Sequence, residues 1–394
     1  PDGFDVAPWP DIWLPPGKTL AMDKWVIFYA GTPNERAAVE RFMEELEVLA
    51  GEIMEVVEEV ATARGEPCRV TIERPLLEEL QGDSAEDWVE EMRRRRLPWN
   101  FAESKCVVVV LPEQVRRRDR YYYAIKDFLT FHRGCGVISQ LVLSSTLQRM
   151  AARTQVWKAI MQQILVKQGC WPWVLSPLPY QGRATMVVGI DQCKPSKQSS
   201  ILQVMCASMN PYFSQYYTTW SILTQDEFKQ QESGLSKLFK GAVRRYFQAN
   251  HRLPDLLVVY RSGVGESQEA AVLESEVLNK NTGLLYAAME VAGELNLQED
   301  FVTDWRSRTE MVYIVARRST TTRFATLDRR NLPSGTYIDD TVVINRAGAR
   351  GEETCQFDFY LLSQSAVVGT AKPTLYSVLH NTTSLPRTEI IRLT

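Results

Sequence analysis

The sequence predicts an α/β protein built in two successive parts, and three observations predict it. Through about residue 170, apolar β-prone runs alternate with helical patterns. Around residues 169–182 a stretch rich in Gly, Pro and Trp breaks that rhythm. Beyond it, three strand-like runs follow one another before the next helix. A chain of 394 residues is long enough for two or three domains with separate cores. Its 45% hydrophobic and 24% charged residues give the balance of an ordinary globular protein.

In the first part, Met22 to Ala30 reads as one alternating strand. From Asn34 to about Arg64, Val39, Phe42, Met43, Leu46 and Leu49 recur at helical spacing among glutamates. Val70-Thr71-Ile72 is a short strand, and Ala85 to Arg96 a helix stopped by Pro98. Cys106 to Val110 is a continuous β-branched run, the mark of a parallel strand buried on both faces. A helix from Arg120 to Leu129, a strand from Gln140 to Leu143 and a helix from Thr154 to Lys167 complete a β-α-β-α order. Gly169 to Trp173 and Pro177 to Gly182 form the junction.

In the second part, strands are expected at Thr185 to Ile190, Leu202 to Ala207 and Tyr216 to Ile222, then a helix from Glu227 to about Gln248. Leu256 to Tyr260 is the next strand, followed by a Gly-containing turn and the helix-forming Glu269 to Leu273. Three strands, a helix and a further strand is the order of an RNase H-type fold. Later strands are expected at Met311 to Ala316, Asp340 to Ile344 and Gln356 to Leu362, and no internal repeat is present. In an open α/β sheet, the loop past the C-terminal end of a strand is where chemistry is usually placed. Ser262 stands there, and Asp191 closes the strand from Met186 to Ile190. Two-metal phosphodiester cleavage needs several carboxylates around two ions, which one Asp does not supply. Asp191 reads equally well as a turn residue accepting backbone N–H groups. No His lies near Ser262 in sequence, so a nucleophile there has no base.

Net charge is −3, unevenly placed: residues 1–100 hold 22 acidic and 11 basic residues, and the remainder 26 and 34. The later part therefore has room for a basic channel. Seven cysteines and three histidines, scattered and without a Cys-x-x-Cys pair, argue against structural zinc and for reduced thiols in the cytoplasm or nucleus. No apolar run approaches a membrane span, and the first residues show no signal-peptide pattern. A start at Pro1 suggests a fragment.

Gly189-Ile190-Asp191, then Val259 to Gly265, then Ile314 to Arg318 with Thr322-Arg323-Phe324 follow in order. Ser363-Gln364-Ser365, Gly369-Thr370 and Pro373-Thr374-Leu375-Tyr376 close the series. Together they resemble the Piwi domain of Argonaute proteins, the Piwi clade in particular, over about Thr185 to Thr394. The upstream segment is similar to the family's Mid domain, which holds the 5′ end of a guide RNA. The implied architecture is a Rossmann-like Mid domain at 101–180 and an RNase H-like Piwi domain at 181–394, with residues 1–100 a linker or Mid-proximal region.

Tyr122 and Lys126 match the family's Tyr-x-x-x-Lys, and a spacing of four puts ring and ammonium on one helix face. Gln140, Gln163 and Lys167 match the further guide-binding positions; glutamine at 163 favours the Piwi clade. Each has a plainer reading too: Lys167 complements a helix dipole, and Tyr122 is half-buried packing. Arg317, Arg318 and Arg323 would meet RNA backbone.

The departures bear on activity. Of the family's four catalytic positions, only Asp191 is kept. Gln230 replaces the Glu finger, Ser262 the second Asp, and Leu375 the His. Glu232 points to another side of its helix, and Glu266, four residues past Ser262, is the alternative ligand. The family also continues beyond Thr394, so 5′-phosphate affinity is in question for this chain. The resemblance thus implies a guide-RNA and target-RNA binder with protein partners and no membrane association. It implies no catalytic cofactor, and the guide 5′-phosphate as the one place for Mg²⁺. An endonuclease rebuilt on Asp191 and Glu266, and a protein scaffold without RNA, are the competing readings.

Overall fold

The computed structural model describes residues 19–64, 69–112, 118–131, 136–149, 154–170, 182–193, 200–224, 234–295, 297, 299–343, 356–364, 366 and 369–394. The chain divides into two compact units, Pro1–Ser176 and Pro177–Thr394.

The first unit contains β1 (Thr19–Met22), β2 (Trp25–Ala30), α1 (Pro33–Arg64), β3 (Arg69–Ile72), β4 (Leu76–Leu80) and α2 (Ala85–Arg94). It continues through β5 (Cys106–Leu111), α3 (Arg118–Phe131), β6 (Ser139–Leu143), α4 (Ser144–Arg149) and α5 (Thr154–Lys167). Its main sheet has the order β4-β2-β5-β6, every pair parallel. All six residues of β5 are buried, because both faces are covered. Cys106, Val108 and Val110 join Ile27 and Tyr29 in the core shared with Phe42 of α1 and Ile164 of α5. Val107, Val109 and Leu111 join Val26 and Phe28 in the core formed with Trp88 of α2 and Ile125 of α3.

This arrangement corrects several expectations. The run from Met22 to Ala30 is two strands, not one, and β2 is buried on both faces instead of alternating. Residue 100 is no structural boundary, since β2 and β4 before it share a sheet with β5 and β6 after it. Helix α2 ends at Arg94, not Arg96.

The second unit contains β7 (Thr185–Cys193), β8 (Ser200–Ser208), β9 (Tyr216–Thr224), α6 (Gly234–Asn250), β10 (Leu256–Arg261) and α7 (Glu269–Val272). A π-helical turn, Leu273–Leu278, extends α7. Then follow α8 (Leu284–Glu294), α9 (Glu299–Arg308), β11 (Glu310–Arg317), β12 (Thr336–Ile338), β13 (Phe357–Leu362), β14 (Thr374–Asn381) and α10 (Arg387–Leu393). One eight-stranded sheet runs β12-β13-β14-β11-β10-β7-β8-β9. Strands β7, β10 and β11 are parallel, so their C-terminal ends lie along one edge of the fold. Phe239 of α6 and Val291 of α8 pack on Val188, Val259 and Tyr313. On the opposite face, Ile390 and Ile391 of α10 cover Val258, Ile314 and Phe359.

The expected strand from Asp340 to Ile344 is absent over its described residues. The chain bends at 341–343, where Thr341 takes φ 60°, and the strand lies earlier, at β12. The expected helix start at Glu227 lies outside the described residues, as do Cys68, Cys135, Cys355 and His132; Cys106, Cys193 and Cys206 carry free thiols. Among the described residues, no helix is long and apolar enough to cross a membrane.

Candidate nucleic-acid interface

Strand β6 is an edge strand, and its edge carries a concentrated positive charge. The Val107 N–H donates to the Ile138 carbonyl at 2.8 Å, so that carbonyl faces β5. The next carbonyl, Ser139, therefore points to the unpaired edge. Helix α3 approaches from one face of the sheet and α5 from the other. Lys126 Nζ donates to Ser139 O at 2.9 Å and to Ser139 Oγ at 2.8 Å. Lys167 Nζ donates to the same Ser139 O at 2.9 Å and to Gln140 Oε1 at 2.6 Å. Gln140 Nε2 donates in turn to Gln163 Oε1 at 2.9 Å.

Blunting an edge strand with lysine is a common structural device. Two ammonium groups on one carbonyl go further, because they repel each other. Among the described residues neither lysine has a carboxylate partner. Burial pushes both below the ordinary lysine value, and the charge of Lys167 lowers Lys126 further. Each ammonium has three donors and uses two here, so donors remain for an arriving anion. Tyr122 lies one turn before Lys126, 46% exposed, with its ring centroid 6.0 Å from Lys126 Nζ. Tyr123 packs edge-on against it at 5.5 Å. The result is an anion cradle beside an exposed aromatic face.

All five positions expected from sequence (Tyr122, Lys126, Gln140, Gln163 and Lys167) thus come together in space. Ser139 was not expected, since a carbonyl's role leaves no trace in residue type. The cluster offers ammonium and amide groups but no carboxylate, whereas Mg²⁺ is held by carboxylate or phosphate oxygens. These side chains fit an anion and do not themselves fit a metal.

The second cluster lies at the C-terminal ends of β7 and β10. Asp191 is exposed and sits within β7, two residues before the strand ends, not at its last position. Its Oδ1 accepts the Gln192 N–H at 2.8 Å. Ser262 N–H donates to the Ile190 carbonyl at 2.8 Å, which sets the loop beside Asp191. Gly263 takes φ +75°, and a Cβ there would come within 3.2 Å of Asp191 Oδ1. Only glycine makes this approach without strain. Beneath the loop, the Arg261 guanidinium grips Glu276 at 3.1 Å, and the Tyr313 hydroxyl also donates to that carboxylate. This buried group braces the turn without reaching solvent. A cavity of about 270 Å³ beside it is lined by Gln192, Gln203, Gly263 and Gln268, with Arg261 already paired to Glu276.

Leu375 stands on β14 opposite Arg317 of β11. Glu266 is exposed at the start of a short 3₁₀ turn. Gln230 and Glu232 lie outside the described residues. Among those described, no three His, Cys, Asp or Glu side chains gather to hold a metal ion. Arg317 does not serve as a free cation: it pairs with Glu269 at 2.9 Å and donates to Ser377 Oγ at 2.6 Å. Arg318 and Arg323 are exposed, and Arg323 is steadied by the carbonyls of Thr320 and Thr322 at 2.8 and 2.7 Å.

A mixed eight-stranded sheet with parallel strands at its centre, joined to a doubly wound parallel unit, defines the class. The Piwi domain family model matches residues 106–394, and the chain belongs to that family, in the Piwi clade of the Argonaute superfamily. It is 26% identical over 404 residues to Piwi-like protein 1 of Danio rerio, covering 99% of this chain and 40% of that protein. It is 30% identical over 281 residues to the Piwi-like protein Siwi of Bombyx mori, covering 69% of this chain and 27% of that one. The chain thus spans well under half the length of these relatives. The crystal structure of Drosophila Piwi superposes with a TM-score of 0.68 at 22% identity, over 95% of this chain and 44% of that one. Kluyveromyces polysporus Argonaute with a guide RNA gives 0.65 at 14% identity, over 96% and 41%. These likenesses show the fold, with its RNase H-like Piwi sheet.

Proposed function

We propose that this chain is the guide-holding and target-pairing portion of a small-RNA-guided silencing protein that does not cut its target. The observation that carries the reading is the pair of ammonium groups, Lys126 and Lys167, meeting on the Ser139 carbonyl with no carboxylate between them. A guide 5′-phosphate supplies the missing charge, Gln140 and Gln163 add hydrogen bonds, and the first base stacks on Tyr122. Arg318 and Arg323 meet backbone phosphate, while base pairing supplies sequence recognition. Silencing or RNA regulation then proceeds through protein partners. Ser262 and Leu375 offer no carboxylate or imidazole ligand, and Asp191 alone does not assemble a two-metal centre.

The test compares 5′-phosphorylated with 5′-hydroxyl small RNA. The phosphate should tighten binding at least about tenfold, as charge-assisted contacts to two cations imply. Lys126→Ala combined with Lys167→Ala should remove that preference. Equal binding of the two RNAs would sink the reading. The loss of cutting is tested with a matched target in Mg²⁺ or Mn²⁺. Guide-directed cleavage that disappears in Asp191→Ala would establish a rebuilt nuclease instead.

A further inference from the structure

Past β11 the chain leaves the same edge of the sheet as Asp191 and Ser262 and forms a short hairpin, closed by the bridge between Ala325 and Asn331. The turn is held by several bonds at once. The Thr326 N–H donates to Arg330 O at 3.0 Å, the Arg329 N–H to Thr326 O at 2.9 Å, and the Arg330 N–H to Thr326 Oγ1 at 3.0 Å. Its base is tied down as firmly. Asn331 Nδ2 donates to Gly369 O at 2.8 Å and its Oδ1 accepts the Ala371 N–H at 3.0 Å. Phe324 packs edge-on against Tyr360 at 5.2 Å.

At the tip of this braced hairpin stands Leu327, 106% exposed. This position forgoes the gain that burying a leucine side chain would bring. Residues 317–331 contain five arginines (317, 318, 323, 329 and 330) against the single acid Asp328. Arg317 and Arg330 pair with Glu269 and Asp328, at 2.9 and 2.7 Å. Arg318, Arg323 and Arg329 are exposed and have no carboxylate partner among the described residues.

We propose that this hairpin is a finger that docks in the minor groove of paired RNA, with Leu327 in the groove and Arg318, Arg323 and Arg329 on the flanking phosphates. The surplus of guanidinium groups selects a polyanion over a neutral protein surface. The tip carries no aromatic ring, which sets it apart from the stacking platforms that take single strands. On duplex DNA, apolar side chains beside arginine are a common minor-groove device, and the A-form minor groove of RNA is wide and shallow enough to admit a hairpin tip. The inference rests on the reading that the chain handles paired RNA, but not on 5′-phosphate capture.

The probe is a blunt RNA duplex with 5′-hydroxyl ends, measured against the whole chain. Leu327→Glu should weaken duplex binding about tenfold, within the range of one lost groove contact. Arg329→Ala should lower the slope of log K against log salt by about 1. Leu327→Met should bind as the parent does. None of the three should change the preference for single-stranded 5′-phosphorylated over 5′-hydroxyl RNA, which the double lysine variant removes. A parent chain that fails to bind the duplex, or Leu327→Glu and Arg329→Ala that bind it unchanged, would overturn the finger. Loss of the 5′-phosphate preference with duplex binding intact would overturn the guide reading and leave the finger standing.

Discussion

Two lysines on one carbonyl give the anion cradle a pH signature. Burial sets Lys126 and Lys167 below the ordinary value of 10.5, and Lys167 lowers Lys126 further. Their folded pKa lies below the unfolded one, so their protonated forms oppose folding. That penalty is present at neutral pH and is relieved as pH rises through the folded values toward 10.5. A bound phosphate reverses the sign by favouring the ammonium forms. The preference for 5′-phosphorylated over 5′-hydroxyl RNA should therefore fade as pH rises from neutral, and be lost below 10.5, before an ordinary lysine titrates. Filter-binding across that range checks it; a preference that holds until 10.5 would show the pair unperturbed. At this scale the sequence was informative wherever side-chain type decides the role. Tyr122 and Lys126, four apart on one helix, announced their shared face. The pairing of Arg317 with Glu269 did not show, because it joins residues 48 positions apart through a sheet end.

Among the elements, legibility followed how far the local pattern agrees with the final burial. The valines of β5 declared a strand buried on both faces. Strand β4 did not, since Leu76-Leu77-Glu78-Glu79-Leu80 carries two glutamates and no alternation. It survives as an edge strand because each charge is met: Glu78 by Arg95 at 3.3 Å, and Glu79 by Arg36 and the Tyr29 hydroxyl. Helix α2 is the opposite case, with its start written into the chain. The Ser84 hydroxyl accepts the Asp87 N–H at 3.1 Å, and the Asp87 carboxylate accepts the Ser84 N–H at 3.1 Å. This reciprocal cap fixes where the helix begins. Ser84→Ala should lower stability by about 1 kcal/mol, measured as a shift in urea midpoint at constant m-value. A change in m-value would point to a wider disruption than a lost cap.

Across the whole molecule, charge separates along the chain: −11 in residues 1–100 and +8 beyond, from 22 against 11 and 26 against 34. The net value of −3 hides this division. Lys126 and Lys167 share the 5′-phosphate and Arg318 and Arg323 meet others, so the proposed complex makes about three phosphate contacts. For a single strand, that number gives a slope of log K against log salt of about −2. A titration of parent protein and 5′-phosphorylated RNA across salt checks this, and a slope near zero would exclude phosphate contact as the source of affinity. The two-part organisation was legible, because alternating and consecutive strands leave different sequence rhythms. The extent of the first sheet was not, since β2 pairs with both β4 and β5 from across the long helix α1.

The Ser139 carbonyl has a kinetic consequence. It holds both ammonium groups in position before any ligand arrives, so in the proposed complex the phosphate meets a cradle already assembled. Capture then uses the donor each ammonium keeps free and needs no refolding of α3 or α5. On that reading the time the complex takes to form is governed by diffusional encounter, and its lifetime by how firmly the phosphate holds those two remaining donors.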